Sequence, residues 1–134
     1  MTDKYTLNSI DKVKNLLEQD NYTESIVRGK KIVDRLVLNT HQTIFKRKLI
    51  RKPAYPIKQA ESILSFVETN PELKKIADKK TIKQTIKWYG KFKEFNLNPE
   101  SKQAKKPAKF AKKTIHLLTL LNHSAIKVKS YFKK

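Results

Sequence analysis

The sequence predicts an all-α protein, a single-domain bundle of five or six helices with a basic linker before the last long helix. Only two glycines occur in 134 residues, which argues against hairpin-rich sheets because their tight turns need positive φ. Apolar residues recur at spacings of three, four and seven, as on one face of a helix. An apolar fraction of 38% with this periodicity is too high for a wholly disordered chain.

The first helix is expected over residues 10–19, with Ser9 as its N-terminal cap. A turn at 20–22 follows, and Thr23 is the predicted cap of the second helix. Glu24 then lies in the first turn, where the helix dipole favours an anion.

The second helix is predicted from one buried face and from the breaks that interrupt it. We expect a break at Asn39-Thr40, resumption to residue 50, and an end enforced by Pro53 and Pro56. The buried face is predicted from spacings of seven, four and seven: Ile26, Val33, Val37 and Ile44.

The middle of the chain predicts a third helix over 57–69. The tripeptide Asn70-Pro71-Glu72 then resembles a helix start, because it combines a cap, a proline at the first helical position and an acid. That helix either continues or restarts near Lys80 and reaches Phe95.

Three regions of one domain are expected: a main helical body at 1–95, a polar basic linker at 96–107, and C-terminal helices at 108–134 that pack on the body. We predict a break at Asn122-His123 in the last region, with Ser124 capping a short tail helix to Phe132.

The charge distribution carries the functional prediction. The net charge is +19, from 31 basic and 12 acidic residues. Residues 25–60 hold ten basic residues against the single Asp34, and residues 79–134 hold sixteen lysines against two acids. Like charges at this density repel, so the compact state favours a polyanionic partner. Nucleic acid is the commonest such partner, since its phosphates bind cations with release of counterions.

Three cationic clusters are the candidate nucleic-acid contacts. On the first, Trp88 lies beside a lysine row, where it either stacks on an unpaired base or fills the edge of the core next to an ordinary solvated face. The row is Lys83, Lys87 and Lys91. The second cluster is Lys46, Arg47, Lys48, Arg51 and Lys52. The third lies around the start of the last long helix: Lys105, Lys106, Lys109, Lys112 and Lys113. Lysine dominates over arginine, so we expect backbone contacts with little sequence specificity.

No catalytic or metal-binding pattern accompanies these clusters. The chain has no cysteine and three histidines. Its only glycines are Gly29 and Gly90, so it contains neither the P-loop motif nor the Gly-rich dinucleotide-binding fingerprint. Asp34 and the acids at 61–78 are interpreted as solubilising and capping residues. The sequence therefore predicts no enzyme, no cofactor and no metal.

Arg35 and His41 lie six residues apart in the second predicted helix. This pair resembles the R-x(4–6)-H motif of HEPN ribonucleases, which are small helical bundles. The resemblance implies that the arginine and histidine act on an RNA 2′-hydroxyl and phosphate. It covers two residues, and Leu36 departs from the polar residue usual after the arginine.

The prediction is a non-catalytic nucleic-acid-binding protein, with DNA and RNA both open as ligands. Two alternatives remain: a coat or packaging protein that polymerises on a genome, and a helical adaptor or inhibitor that docks on an acidic protein surface. No signal peptide and no membrane span are expected. The expected location is therefore intracellular or inside a nucleoprotein particle.

Overall fold

A computed structural model describes residues 4–45, 55–75 and 78–132. In these ranges the protein is a helical bundle. Within these ranges there are six α-helices, one short 3₁₀ helix at Pro71–Lys75, and no strand. The α-helices are α1 (Lys4–Glu18), α2 (Tyr22–Phe45), α3 (Pro56–Thr69), α4 (Lys79–Leu97), α5 (Lys102–Lys105) and α6 (Pro107–Phe132). The predicted all-α bundle of five or six helices is confirmed.

The two longest helices, α2 and α6, form the centre of the bundle. Helices α1 and α3 pack against α2, and α4 packs against α3 and α6. The predicted inward face of α2 is confirmed, because all four of its apolar positions are buried. Helix α6 packs on α2 and contributes fully buried residues to the same core, including Leu118 and Val128. Removal of this apolar surface from water is the main stabilising contribution.

The start of each of the first two helices differs from the prediction. Helix α1 begins at Lys4, so Ser9 lies inside it. Helix α2 begins at Tyr22, where the backbone N–H of Ser25 donates to the carbonyl of Asn21. Between them Asp20 has a φ of 59°, the left-handed conformation that commonly ends a helix.

The two predicted internal breaks are wrong. Helix α2 is continuous through Asn39-Thr40, where the Thr40 hydroxyl donates to the carbonyl of Leu36 at 2.8 Å. Helix α6 is continuous through Asn122-His123, and Ser124 lies buried in its interior. In both places the apolar face continues beyond the polar residues, so tertiary burial outweighs their weak helix propensity.

Prolines and caps define the middle of the chain. Pro56 starts α3, as a proline at the first helical position can. Asn70-Pro71-Glu72 leads into the 3₁₀ helix instead of an α-helix. Helix α4 then begins at Lys79, because the Asp78 carboxylate accepts bonds from the Lys80 N–H and the Thr81 hydroxyl at 3.1 and 2.8 Å.

The predicted polar linker at 96–107 is largely helical. Helix α4 extends to Leu97, and the four-residue α5 fills the middle of the segment. Ser101 caps α5 by accepting a bond from the Ala104 N–H at 3.2 Å, and its side chain is buried. The linker lysines therefore have defined positions beside α4 and α6. No helix in the described ranges combines the length and apolar character needed to cross a membrane.

Candidate functional site

A groove of about 410 Å³ separates the outer faces of α4 and α6. We call it the α4–α6 groove. Helix α4 contributes Gln84, Lys87, Trp88 and Lys91. These four residues share one face because they are three or four positions apart. Helix α6 contributes Phe110, Lys112, Lys113, His116 and Leu117.

The floor of the groove is apolar and closely packed. Phe110 and Leu117 are buried, and only 4% of Trp88 is exposed. The indole stacks near-parallel on Phe92 and Phe110, with ring centroids 5.4 and 5.9 Å apart. Aromatic contacts of this kind add to the stabilisation from burial.

Thr114 holds the indole in place. The Trp88 Nε1–H donates to the Thr114 hydroxyl at 2.8 Å, and that hydroxyl donates to the carbonyl of Phe110 at 2.8 Å. Because Thr114 is fully buried, the pair of bonds satisfies polar groups that water cannot reach. Trp88 is thus a core residue at the edge of the groove. Its ring faces pack on Phe92 and Phe110 and are not presented to a base in this conformation, which agrees with the core-edge alternative and not with the stacking platform.

The rim of the groove is cationic. Lys87, Lys112 and Lys113 are exposed, and Lys91 is half-buried. Lys113 lies beside Lys91, and repulsion between the two ammonium groups is the largest cause that lowers the pKa of Lys113. Slight burial, the contact with Lys91 and the charge of Lys102 lower it further. An anion between these lysines would relieve the repulsion.

No carboxylate neutralises these four rim lysines in the described part of the chain. The ion pairs found there all involve other cations: Glu24–Arg28, Asp34–Lys30, Glu61–Lys58, Glu68–Lys79 and Glu100–Lys105. The groove therefore concentrates uncompensated positive charge, which attracts anions.

The structure brings together parts of two predicted clusters. From the first it places Lys87, Trp88 and Lys91 at the groove, and from the third Lys112 and Lys113. Lys83, Lys106 and Lys109 are exposed outside the lining, and Lys105 is paired with Glu100 at 3.2 Å. The second cluster lies outside the described residues: Lys46, Arg47, Lys48, Arg51 and Lys52.

Sequence reasoning missed four lining residues: Gln84, Phe110, His116 and Leu117. Gln84 could have been found from its spacing of four to Trp88, which puts the two on one face of α4. The α6 residues could not, since nothing in the local pattern says that α6 lies beside α4.

Two other interpretations change with the structure. Asp34 is more than a solubilising residue: it accepts a bond from the Tyr89 hydroxyl at 2.5 Å and pairs with Lys30 at 2.7 Å, so it ties α2 to α4. Burial, and then the bond to Asp34, raise the pKa of Tyr89. His41 belongs to the pair that resembles the HEPN ribonuclease motif. It is 2% exposed, and its ring centroid lies 4.5 Å from that of Phe45. An imidazole in this position does not reach an external RNA.

Within the described ranges no three His, Asp or Glu residues lie close enough together to hold a metal ion. No protein-family model matches the chain, and neither the curated proteins nor the solved structures contain a significant match to it.

Proposed function

We propose that the protein binds nucleic acid without catalysis, through its phosphate backbone and with little sequence specificity. The observation that carries this proposal is the rim of the α4–α6 groove. Two helices present Lys87, Lys91, Lys112 and Lys113 to one concave surface, and none of these lysines has a carboxylate partner in the described chain.

A phosphate backbone fits this lysine rim better than an acidic protein surface does. The excess of +19 is far above what solubility requires of a small domain, and clustered lysines gain affinity when condensed counterions leave a polyphosphate chain. Lysine acts as a point charge without the planar fork of arginine, so contacts of this kind do not read bases.

Exposed lysines beyond the groove extend the proposed contact surface. Lys83 continues the row of α4, and Lys106 and Lys109 lie at the start of α6. These residues can contact the phosphates of a nucleic-acid strand where it leaves either end of the groove. They add affinity without adding specificity, in keeping with the proposed function.

Fluorescence anisotropy with labelled single-stranded DNA, duplex DNA and RNA tests the proposal. The variant Lys91→Glu/Lys113→Glu is compared with Lys12→Glu/Lys14→Glu, which makes the same change in net charge on exposed positions of α1. We expect the groove variant to lose at least about tenfold more affinity than the control. The slope of log affinity against log salt should fall by about 1.4–1.8, because each lost phosphate contact removes ~0.7–0.9.

Equal losses in the two variants would show that only the overall charge matters and that the groove is not the contact. No binding to any of the three ligands at low salt would overturn the proposed function, and an acidic protein surface would become the first candidate partner. Regular filaments on nucleic acid in electron micrographs would instead extend the proposal to a coat protein.

A further inference from the structure

The α4–α6 groove combines two kinds of surface within a small volume. Its rim carries Lys87, Lys91, Lys112 and Lys113, whereas its floor is formed by Trp88, Phe110 and Leu117. A surface that served only to attract a polyanion would need no apolar floor. A volume of about 410 Å³ is also at the scale of small-ligand sites, which run from ~300 to 1,000 Å³.

An unpaired nucleotide has one part that suits the cationic rim and one part that suits the apolar floor. Its phosphate is an anion and its base is a flat, largely apolar ring with polar edges. A duplex keeps its bases stacked inside, so it can offer phosphates to the rim but nothing to the floor.

We propose that the α4–α6 groove is a subsite for one unpaired nucleotide of a single-stranded nucleic acid, with the phosphate between Lys91 and Lys113 and the base on the apolar floor. This inference rests on the proposed function and names the ligand form that the groove selects. Lys87 and Lys112, on the same rim, hold the neighbouring phosphates of the strand. Gln84 supplies an amide that can both donate to and accept from the edge of a base.

The lowered pKa of Lys113 agrees with this arrangement, because it reflects an ammonium pair held close together by the helices.

The single tryptophan of the chain gives a direct readout of the groove. Trp88 emission is recorded while the protein is titrated with oligothymidylate, with an abasic oligonucleotide of equal length and charge, with duplex DNA and with inorganic pyrophosphate. Anisotropy of the same labelled oligonucleotides measures overall binding. We expect oligothymidylate alone to change Trp88 emission strongly, because the base covers the floor beside the indole. It should bind at least roughly fivefold more tightly than the abasic strand through apolar contact with that floor.

The outcomes separate this inference from the proposed function. Equal affinity for the two strands, with anisotropy changes but no Trp88 response, would overturn the nucleotide subsite and leave the proposed function standing. A Trp88 response to pyrophosphate as large as that to oligothymidylate would reduce the groove to a simple anion site and overturn it as well. If no oligonucleotide changed its anisotropy, the protein would not bind nucleic acid, and the proposed function itself would be overturned.

A pair of isosteric variants gives a second test. Gln84→Glu puts a carboxylate in the groove lining, whereas Gln42→Glu puts one at an exposed position of α2 outside it. Repulsion between this carboxylate and a bound phosphate should weaken oligothymidylate binding by about tenfold in Gln84→Glu and by much less in Gln42→Glu. Equal weakening in the two variants would contradict the inference.

Discussion

Helix α6 meets its two long neighbours in opposite ways. Against α2 it packs closely at Gly29, where an added Cβ would lie only 2.6 Å from the Thr114 Cγ2 atom. Against α4 it is joined through the Trp88–Thr114 hydrogen bond, and the outer faces of the two helices line the α4–α6 groove. The comparison shows how residue size limits the approach of two helices. A missing side chain lets α2 and α6 pack closely, whereas the side of α6 that faces the groove carries Lys112 and Lys113.

Thr114 takes part in both contacts. Its methyl group lies over Gly29, and its hydroxyl accepts the bond from Trp88. Small changes at this position and its neighbours can therefore test each contact separately.

The largest effect is expected from Thr114→Val, which keeps the methyl group over Gly29 but removes the hydroxyl. The buried Trp88 Nε1–H then loses its acceptor, so the free energy of unfolding should fall by about 2 kcal/mol. Urea unfolding followed by circular dichroism measures this. The matched control is Thr119→Val, whose exposed hydroxyl bonds only within its own helix at 3.2 Å. A loss no larger than that of the control would mean that the Trp88 bond contributes little to the α4 contact.

A smaller loss is expected from Gly29→Ala. The new methyl group meets Thr114, whose rotamer is held by two hydrogen bonds. Overpacking costs about 1–3 kcal/mol and the better helix propensity of alanine returns about 1 kcal/mol, so a net loss of about 1 kcal/mol should be measured.

Gly90→Ala is the control for this change, because a Cβ at Gly90 meets nothing within 4 Å. It should stabilise the protein by up to ~1 kcal/mol through helix propensity alone. If both glycine variants were stabilised equally, the close approach of α2 to α6 would not depend on Gly29.

The smallest effect belongs to the groove side. Replacing Lys91 with Gln removes a charge that repels Lys113, so the free protein should gain stability, by no more than about 0.5 kcal/mol as is usual for a surface substitution. Because salt screens this repulsion, the gain should shrink between low and high ionic strength. A loss of stability in Lys91→Gln at low salt would contradict a repulsive pair.

The difference in the free energy of unfolding between the native protein and Lys91→Gln should change with pH in a definite direction. The pKa of Lys113 is lowered in the folded protein from the ordinary lysine value of 10.5, so the unfolded chain binds more protons in the window just below that value. The free energy of unfolding of the native protein should therefore rise with pH through this window relative to Lys91→Gln, whereas at neutral pH the repulsion acts in full.

The sequence predicted those parts of the fold that depend on local periodicity. Ile26, Val33, Val37 and Ile44 were assigned to one buried face because they follow the helical period, and the structure agrees. The breaks at Asn39 and Asn122 were wrong because local polar residues were weighed without the apolar contacts that α2 and α6 make with each other.

The candidate site was only partly predictable. The lysines of α4 and α6 stand out by composition, but their convergence depends on which helices are neighbours, and helical periodicity does not encode that. For Trp88 the sequence left open a stacking platform and a position at the edge of the core, because the residues around it are lysines. Its hydrogen bond spans 26 residues of sequence, to Thr114, and a contact of that range leaves no local signature.

The short helix α5 has a consequence for the thermodynamics of binding. Because Ser101 caps it and Lys102 already stands near Lys113, the backbone entropy of this connection, about 1–2 kcal/mol per residue, is lost when the protein folds and not when a ligand arrives. Calorimetric titrations over a range of temperature should therefore lack the large negative heat-capacity change that marks folding coupled to binding. The segment predicted as a polar basic linker is thus, in energetic terms, part of the folded bundle.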